Sequence, residues 1–119
     1  MGMFNVPIRI SNPNGGDETE FDALVDSGAF LTMAPEPALR GLGLAPTRTV
    51  EFELADGSVV SYGVGEARAA INGLSVTTQV VFGPDDVEPV IGAYTLEGLR
   101  LAIDPVNEVL MPVPRRPRL

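Results

Sequence analysis

Short alternations of apolar and polar residues, separated by turn-forming residues, constrain the fold of this chain more than any other feature. Residues 4–10 alternate in polarity, and the same period of two recurs over residues 21–25 and 50–54. A period of two is typical of a β-strand with one buried face. Turn-rich segments such as residues 12–17 separate the alternating segments, roughly every eight to twelve residues. The pattern predicts a mostly β domain that closes, or nearly closes, into a barrel.

Two hairpins are predicted from turn dipeptides within this pattern. Asp56-Gly57 follows the third alternation, and a new strand begins at Val59. Asn72-Gly73 joins an apolar segment at residues 67–71 to another at residues 76–82. Both dipeptides favour tight hairpin turns, because Asn, Asp and Gly tolerate the positive φ angles that such turns require.

One short helix is expected near the C-terminal end of the chain. Residues 95–100 carry two leucines at a spacing that lets both pack against the domain. Residues 36–44 are rich in Ala and Leu, but Pro37, Gly41 and Gly43 interrupt them. At most one helical turn is therefore expected in that segment.

The chain contains neither histidine nor cysteine, which excludes several kinds of active site. Catalysis by Ser-His-Asp or Cys-His groups, proton transfer by imidazole and the usual zinc ligands are all impossible. Carboxylates remain as the obvious groups for proton transfer near neutral pH. Any catalysis must come from Asp or Glu, helped by Ser, Tyr or Arg.

Length and charge indicate one domain with few general partners. The 119 residues are expected to form a single domain over residues 1–114, followed by a basic, proline-containing tail at residues 115–119. The formal net charge of −8 disfavours attraction to nucleic acid or to anionic membranes. No apolar run approaches the roughly eighteen residues of a membrane helix, and no secretory signal pattern is present, so a cytoplasmic protein is expected.

The motif with the most chemical content is Asp26-Ser27-Gly28, within residues 23–35. Three apolar residues lead a strand into the acid, and Gly28 lets the chain turn tightly beside it. A tripeptide of this kind arises by chance in roughly one chain in twenty of this length, so it is a weak signal alone. A plain turn, in which Asp and Ser bond their own backbone, is the alternative interpretation.

With its flanking residues, this motif resembles the active-site loop of the retropepsin-like aspartic proteases. Ala29 and Pro35 match that loop as well. Phe30 stands where many relatives have Ser or Thr, and Ala34 replaces a larger aliphatic residue. These two departures affect the packing around the loop, and neither removes the acid.

A second signature makes the resemblance more specific. Val90-Ile91-Gly92 matches the two apolar residues and glycine that precede a short helix in this family. The ribbon around Asp56-Gly57 falls where the family has its flap, the hairpin that covers bound peptide. The resemblance extends over residues 4–113, and the closing segment at residues 101–107 looks like that of bacterial members.

The resemblance implies a small, closed retropepsin-like β-barrel with one short C-terminal helix. It also implies an aspartic endopeptidase that needs neither cofactor nor metal and cleaves an extended polypeptide. One chain supplies one such loop, so Asp26 of a second copy would complete the site in a homodimer. Two carboxylates held a few ångströms apart cannot both ionise cheaply, so the pair would share one proton.

The resemblance further assigns a role to each residue of the site. Ser27 would hydrogen-bond across the dimer, Gly28 would donate backbone hydrogen bonds to Asp26, and Ala29 would line the floor of the cleft. The flap would pair with the peptide as an added strand. Its tip would consist of Ala55, Asp56, Gly57 and Ser58.

A catalytically inactive binding or dimerisation module with the same fold is the alternative function. The sequence favours the enzyme, because an inactive descendant has no physical reason to keep an acid at a strand end beside Ser and Gly. Two forms of the dimer stay open. Either terminal strands interleave, with residues 109–113 as candidates, or the interface consists of loops and the short helix.

Overall fold

The computed structural model describes residues 3–119, so the first two residues of the expected domain at 1–114 lie outside the described residues. The helices are α1 (Glu36–Gly41) and α2 (Ala93–Leu99). The strands are β1 (Phe4–Ser11), β2 (Glu18–Val25), β3 (Thr32–Pro35), β4 (Arg48–Glu53), β5 (Val59–Ile71), β6 (Leu74–Gly83), β7 (Val90–Ile91), β8 (Leu101–Asp104) and β9 (Val109–Pro112).

A seven-stranded mixed sheet makes up most of the molecule, and six of its strands are hydrogen-bonded in a ring. The strand order is β1-β2-β7-β3-β6-β5-β4, and β1 closes the ring by pairing with β5 as well. β4 lies outside the ring as the outer arm of its hairpin with β5. The β2–β7 and β3–β6 pairs are parallel, whereas the β1–β2 pair is antiparallel. The expected mostly β, closed architecture is confirmed.

The core occupies the inside of this ring and accounts for the alternation in the sequence. In β1, Ile8 and Ile10 are each 1% exposed, whereas the intervening Arg9 is exposed. Val25 of β2 and Ile91 of β7 are buried in the same cluster. Burying apolar side chains of this size stabilises the fold by about 1.5–3 kcal/mol each.

The strand β5 runs further than the sequence pattern indicates. The alternation predicts separate strands starting at Val59 and ending at residue 71, yet one continuous strand of 13 residues spans both. Gly63 and Gly65 break the apolar pattern because residues 45–46 pack directly against them. A Cβ at Gly65 would come within 2.6 Å of the Ala45 carbonyl oxygen. Close approach of this kind is a common reason for glycine inside a strand.

The molecule differs from the expectation of one helix by having a second, α1, between β3 and β4. Pro37 lies in the first turn of α1, where its fixed φ suits a helix and its missing N–H has no intrahelical acceptor. Leu39 is fully buried and fixes the helix to the core, and Arg40 pairs with Glu36 at 2.6 Å. The proline is therefore compatible with α1 because of its position, and Gly41 is the last residue of the helix.

The remaining chain forms a β8–β9 hairpin after α2. Its register pairs Leu101 with Pro112 and Asp104 with Val109, so β9 finds its partner strand within the same chain. Beyond it, the Val113 N–H donates to the Arg100 carbonyl oxygen, and residues 115–119 are exposed. Neither helix described for residues 3–119 has the length or apolar character required to cross a membrane.

Candidate active site

The loop that carries Asp26 begins at the end of β2, a strand that lies between β1 and β7 in the sheet. β2 pairs with β1 on one side and with β7 on the other, and Val25 at its end is 1% exposed. The Asp26 N–H donates to the Ile91 carbonyl oxygen at 3.2 Å, which continues the β2–β7 pairing by one residue. The apolar residues of the motif thus pack the end of β2 into the core, and Asp26 is the first residue after this strand.

The Asp26 carboxylate is half-buried and is held by its own loop. Gly28 donates its N–H to Asp26 Oδ1 at 2.8 Å, as the sequence predicts. The Ala29 N–H donates to the Asp26 carbonyl oxygen at 3.1 Å, which closes the turn. A Cβ at Gly28 would lie 3.2 Å from Asp26 Oδ1, so glycine leaves room for the carboxylate as well as donating to it.

The second sequence signature packs directly against this loop. A Cβ at Gly92 would lie 2.5 Å from the Leu31 carbonyl carbon and 2.6 Å from the Phe30 carbonyl oxygen, so only glycine fits. The next two residues bond the same loop: the Ala93 N–H donates to the Ala29 carbonyl oxygen and the Tyr94 N–H to the Phe30 carbonyl oxygen, both at 2.9 Å. The two signatures therefore form one structural unit.

Three buried threonines, which sequence reasoning missed, hold this unit from behind. The Thr95 hydroxyl lies 2.7 Å from that of Thr32 and 2.9 Å from that of Thr78. The Gly92 N–H also donates to Thr32 Oγ1 at 3.2 Å. Each threonine is at most 2% exposed. The signal in the sequence is a hydroxyl residue within an otherwise apolar segment, since such a group needs a partner when buried.

An apolar cleft of about 470 Å³ opens in front of Asp26. Asp26 is the only ionisable side chain among its lining residues, and the walls around it are mostly apolar. Sequence reasoning missed three of these residues, because they come from the two ends of the chain. The cleft is lined by Met3, Val25, Asp26, Ser27, Gly28, Ile103 and Pro105.

Two predicted substrate-binding elements lie outside the lining of this cleft. Ala29 is half-buried, and its carbonyl oxygen is taken by α2. The turn at residues 55–58 is exposed at the end of the β4–β5 hairpin. The Ser58 hydroxyl and N–H both donate to Asp56 Oδ1, at 2.5 and 2.9 Å, and these bonds lower the pKa of the Asp56 carboxyl. Gly57 adopts a φ of 87°, which suits glycine.

The described part of the chain offers no obvious metal site. Within residues 3–119, no three acidic side chains converge closely enough to hold a metal ion. The cleft itself presents a carboxylate, a neighbouring hydroxyl and backbone N–H groups.

Comparison with solved structures identifies the fold. No protein-family model matches the chain, and no curated protein matches it in sequence. The solution structure of simian foamy virus (mac) protease is similar with a TM-score of 0.53 and 22% identity, over 77% of this chain and 92% of that protein. A foamy viral protease-reverse transcriptase, solved in complex with an RNA/DNA hybrid, is similar with a TM-score of 0.58 and 18% identity.

The second similarity covers 82% of this chain and 12% of the protease-reverse transcriptase, so this chain spans a small part of that larger protein. At these identities the likeness concerns the fold, and the resemblance to bacterial members stays a prediction. The ring-shaped mixed sheet, the two short helices and these similarities together show that the chain has the retroviral protease-like fold.

Proposed function

We propose that this protein is an aspartic endopeptidase whose active site forms when two copies meet at Asp26. One observation carries the proposal: a retroviral protease-like fold presents the Asp26 carboxylate, held by the Gly28 N–H, at the wall of an apolar cleft.

The need for a second copy follows from the chemistry of amide hydrolysis. One carboxylate must act as a base and take a proton from water, while a protonated carboxyl group supplies a proton to the leaving nitrogen. The cleft of one chain provides Asp26 alone among its lining residues. Ser27 and Gly28 are exposed beside it, so the loop of a second copy can approach across a two-fold axis. In that arrangement Ser27 would hydrogen-bond the opposite loop.

The proposed reaction needs only water and the shared proton. One Asp26 carboxylate takes a proton from water as the water oxygen bonds to the amide carbon. The carbon–nitrogen bond then breaks, and the proton already held by the pair passes to the leaving nitrogen. The products are a carboxylic acid and an amine, and the proton taken from water remains on the pair.

The substrate would be an extended polypeptide held between the cleft and the β4–β5 hairpin. An extended peptide binds well to a strand edge through backbone hydrogen bonds. Ala55, Asp56, Gly57 and Ser58 would form the moving tip of this flap, and its closure would exclude water from the carboxylates. Ala29 would line the floor once the second copy and the peptide complete the site.

The boundaries of the folded unit belong to the same proposal. Residues up to 114 would form the protease domain, since β9 ends at Pro112 and Val113 bonds back to Arg100. Residues 115–119 are exposed and would take no part in catalysis. The net charge of −8 argues against a nucleic acid partner.

The test is cleavage of a mixed peptide library from mildly acidic to neutral pH, read by mass spectrometry. The wild type should cut, and pepstatin and the Asp26→Asn variant should each abolish cutting. Asp22→Asn is the matched control, because Asp22 is an exposed aspartate of β2, the strand that leads into Asp26, and this variant should cut normally. Cutting that survives Asp26→Asn would move the site elsewhere. A normal dimer that cuts nothing would favour the binding module.

A further inference from the structure

Two aromatic side chains lie exposed beside the Asp26 loop, outside the cleft already described. Phe30 is 64% exposed and Tyr94 is 39% exposed, with ring centroids 5.7 Å apart in an edge-to-face arrangement. Aromatic rings left in water have large apolar faces available to a partner. The Tyr94 N–H donates to the Phe30 carbonyl oxygen at 2.9 Å, so their backbones are fixed relative to each other.

The aromatic pair joins the Asp26 loop to a second groove. Tyr94 lines a separate cavity of about 240 Å³ together with Arg48 and Gln79. The Arg48 guanidinium donates to the Gln79 side-chain oxygen, and Arg48 forms no ion pair within the described chain. Its N–H groups therefore lie beside a neutral acceptor, which the carbonyl oxygens of a bound peptide can replace.

The length of the intervening chain sets an upper limit on the distance between the aromatic pair and Asp26. Phe30 follows Asp26 by four residues, so their Cα atoms are separated by at most about 14 Å. An extended peptide covers that distance in about four residues. Phe30 is therefore no farther from the cleaved bond than about four extended substrate residues.

We propose that Phe30 and Tyr94 form a specificity subsite that selects substrates with an aromatic side chain within four residues of the cleaved bond. This inference rests on the proposed function, since it names the substrate class of that same site. A rigid pair of aromatic residues binds a third ring with little loss of conformational freedom, which favours affinity. The groove beyond Tyr94 holds the peptide backbone that follows.

Peptide binding is measured on the Asp26→Asn protein, so that the result does not depend on turnover. The probes are two fluorescent peptides that differ only in a Phe or an Ala at one position within four residues of the central bond, scanned across those positions. At one position the Phe peptide should bind about tenfold more tightly, as expected for an aromatic contact with its buried area. The added change Phe30→Ala should abolish that preference.

Two further variants separate this role from a structural one. Phe30→Tyr keeps the ring and should keep the preference. Leu74→Ala removes an exposed apolar side chain at the start of β6, 43% exposed, and should also keep the preference. In the active protein, Phe30→Ala should raise KM for the Phe peptide about tenfold and leave kcat unchanged, since the lost contact is the same in substrate and transition state.

Three results would overturn the inference. The first is that the Asp26→Asn protein with Phe30 intact binds the Phe and Ala peptides equally at every scanned position. The second is a preference that persists in Phe30→Ala. The third is a Phe30→Ala protein that sediments as a monomer where its parent is a dimer, which would assign the aromatic pair to contact between copies. If the wild type cuts no peptide, the proposed catalysis fails. The subsite is still tested separately, because peptide binding is measured on the Asp26→Asn protein.

Discussion

Replacement of Gly92 by alanine tests whether the two sequence signatures form one unit. The added Cβ would lie 2.5 Å from the Leu31 carbonyl carbon, 2.6 Å from the Phe30 carbonyl oxygen and 2.7 Å from the Leu31 carbonyl oxygen. All three atoms belong to backbone, so no side chain can rotate away. To restore 3.4 Å, the lower limit of ordinary contact, the Asp26 loop and α2 must separate by about 0.9 Å.

That separation weakens three hydrogen bonds as well as the packing. The Gly92 N–H bond to Thr32 is already 3.2 Å long, and the Ala93 and Tyr94 N–H bonds to the loop are 2.9 Å. Overpacking costs about 1–3 kcal/mol, and a buried hydrogen bond contributes about 1 kcal/mol. We expect Gly92→Ala to lower the free energy of unfolding by about 3 kcal/mol, which corresponds to about 12 °C in Tm.

The matched control is Gly98→Ala, in the same helix. There an added Cβ would lie 3.2 Å from a Val76 methyl carbon, which belongs to a side chain that can adjust. Alanine also favours the helix by about 1 kcal/mol relative to glycine, so stability should change by less than about 1 kcal/mol. Urea unfolding followed by circular dichroism measures both variants. A Gly92→Ala protein as stable as Gly98→Ala would refute the reasoning.

Two further predictions concern hydroxyl groups. Thr95→Val removes a fully buried hydroxyl and deprives two threonines of a partner, so we expect a loss of about 2 kcal/mol, or about 8 °C in Tm, in thermal unfolding. Ser58→Ala removes the bond that most lowers the pKa of Asp56, so NMR titration should find that pKa closer to 3.8. Because the pKa is lowered in the fold, the ionised Asp56 carboxylate stabilises the turn at residues 55–58 fully above pH 3.8, and this stabilisation is lost as pH falls through the lowered value. An unchanged Tm in the first case, or an unchanged Asp56 titration in the second, would contradict the assignment of these contacts.

The period of two predicts much of the sheet, and its failures have physical causes. β3 goes unrecognised because its residues reverse the usual polarity: the buried Thr32 is polar, whereas the half-buried Met33 is apolar. The middle of β5 is obscured by Gly63 and Gly65, because residues 45–46 pack too closely against both to leave room for a side chain. α1 is underestimated because Pro37 and Gly41 count as helix breakers, whereas the buried Leu39 decides the outcome.

In the candidate site, features set by local motifs are predictable from the sequence, and features set by the tertiary fold are not. The turn from Asp26 to Gly28, with the Gly28 N–H donating to Asp26 Oδ1, is a local motif, and the family resemblance implies it. The packing of Gly92 against Phe30 and Leu31 joins residues far apart in the chain, and the sequence analysis does not predict it. Met3, Ile103 and Pro105 reach the cleft only because the fold brings the two ends of the chain together. No periodicity in the sequence encodes such a convergence.

The most direct test of the central claim is to mix the wild type with Asp26→Asn protein and measure cleavage per wild-type chain. If each active site needs Asp26 from both copies, a fourfold excess of the variant should lower that activity to about one fifth, because most wild-type chains then pair with an inactive partner. The measurement is made after subunit exchange, at concentrations where sedimentation shows dimers. Activity per wild-type chain that is unchanged by the variant would contradict the shared site.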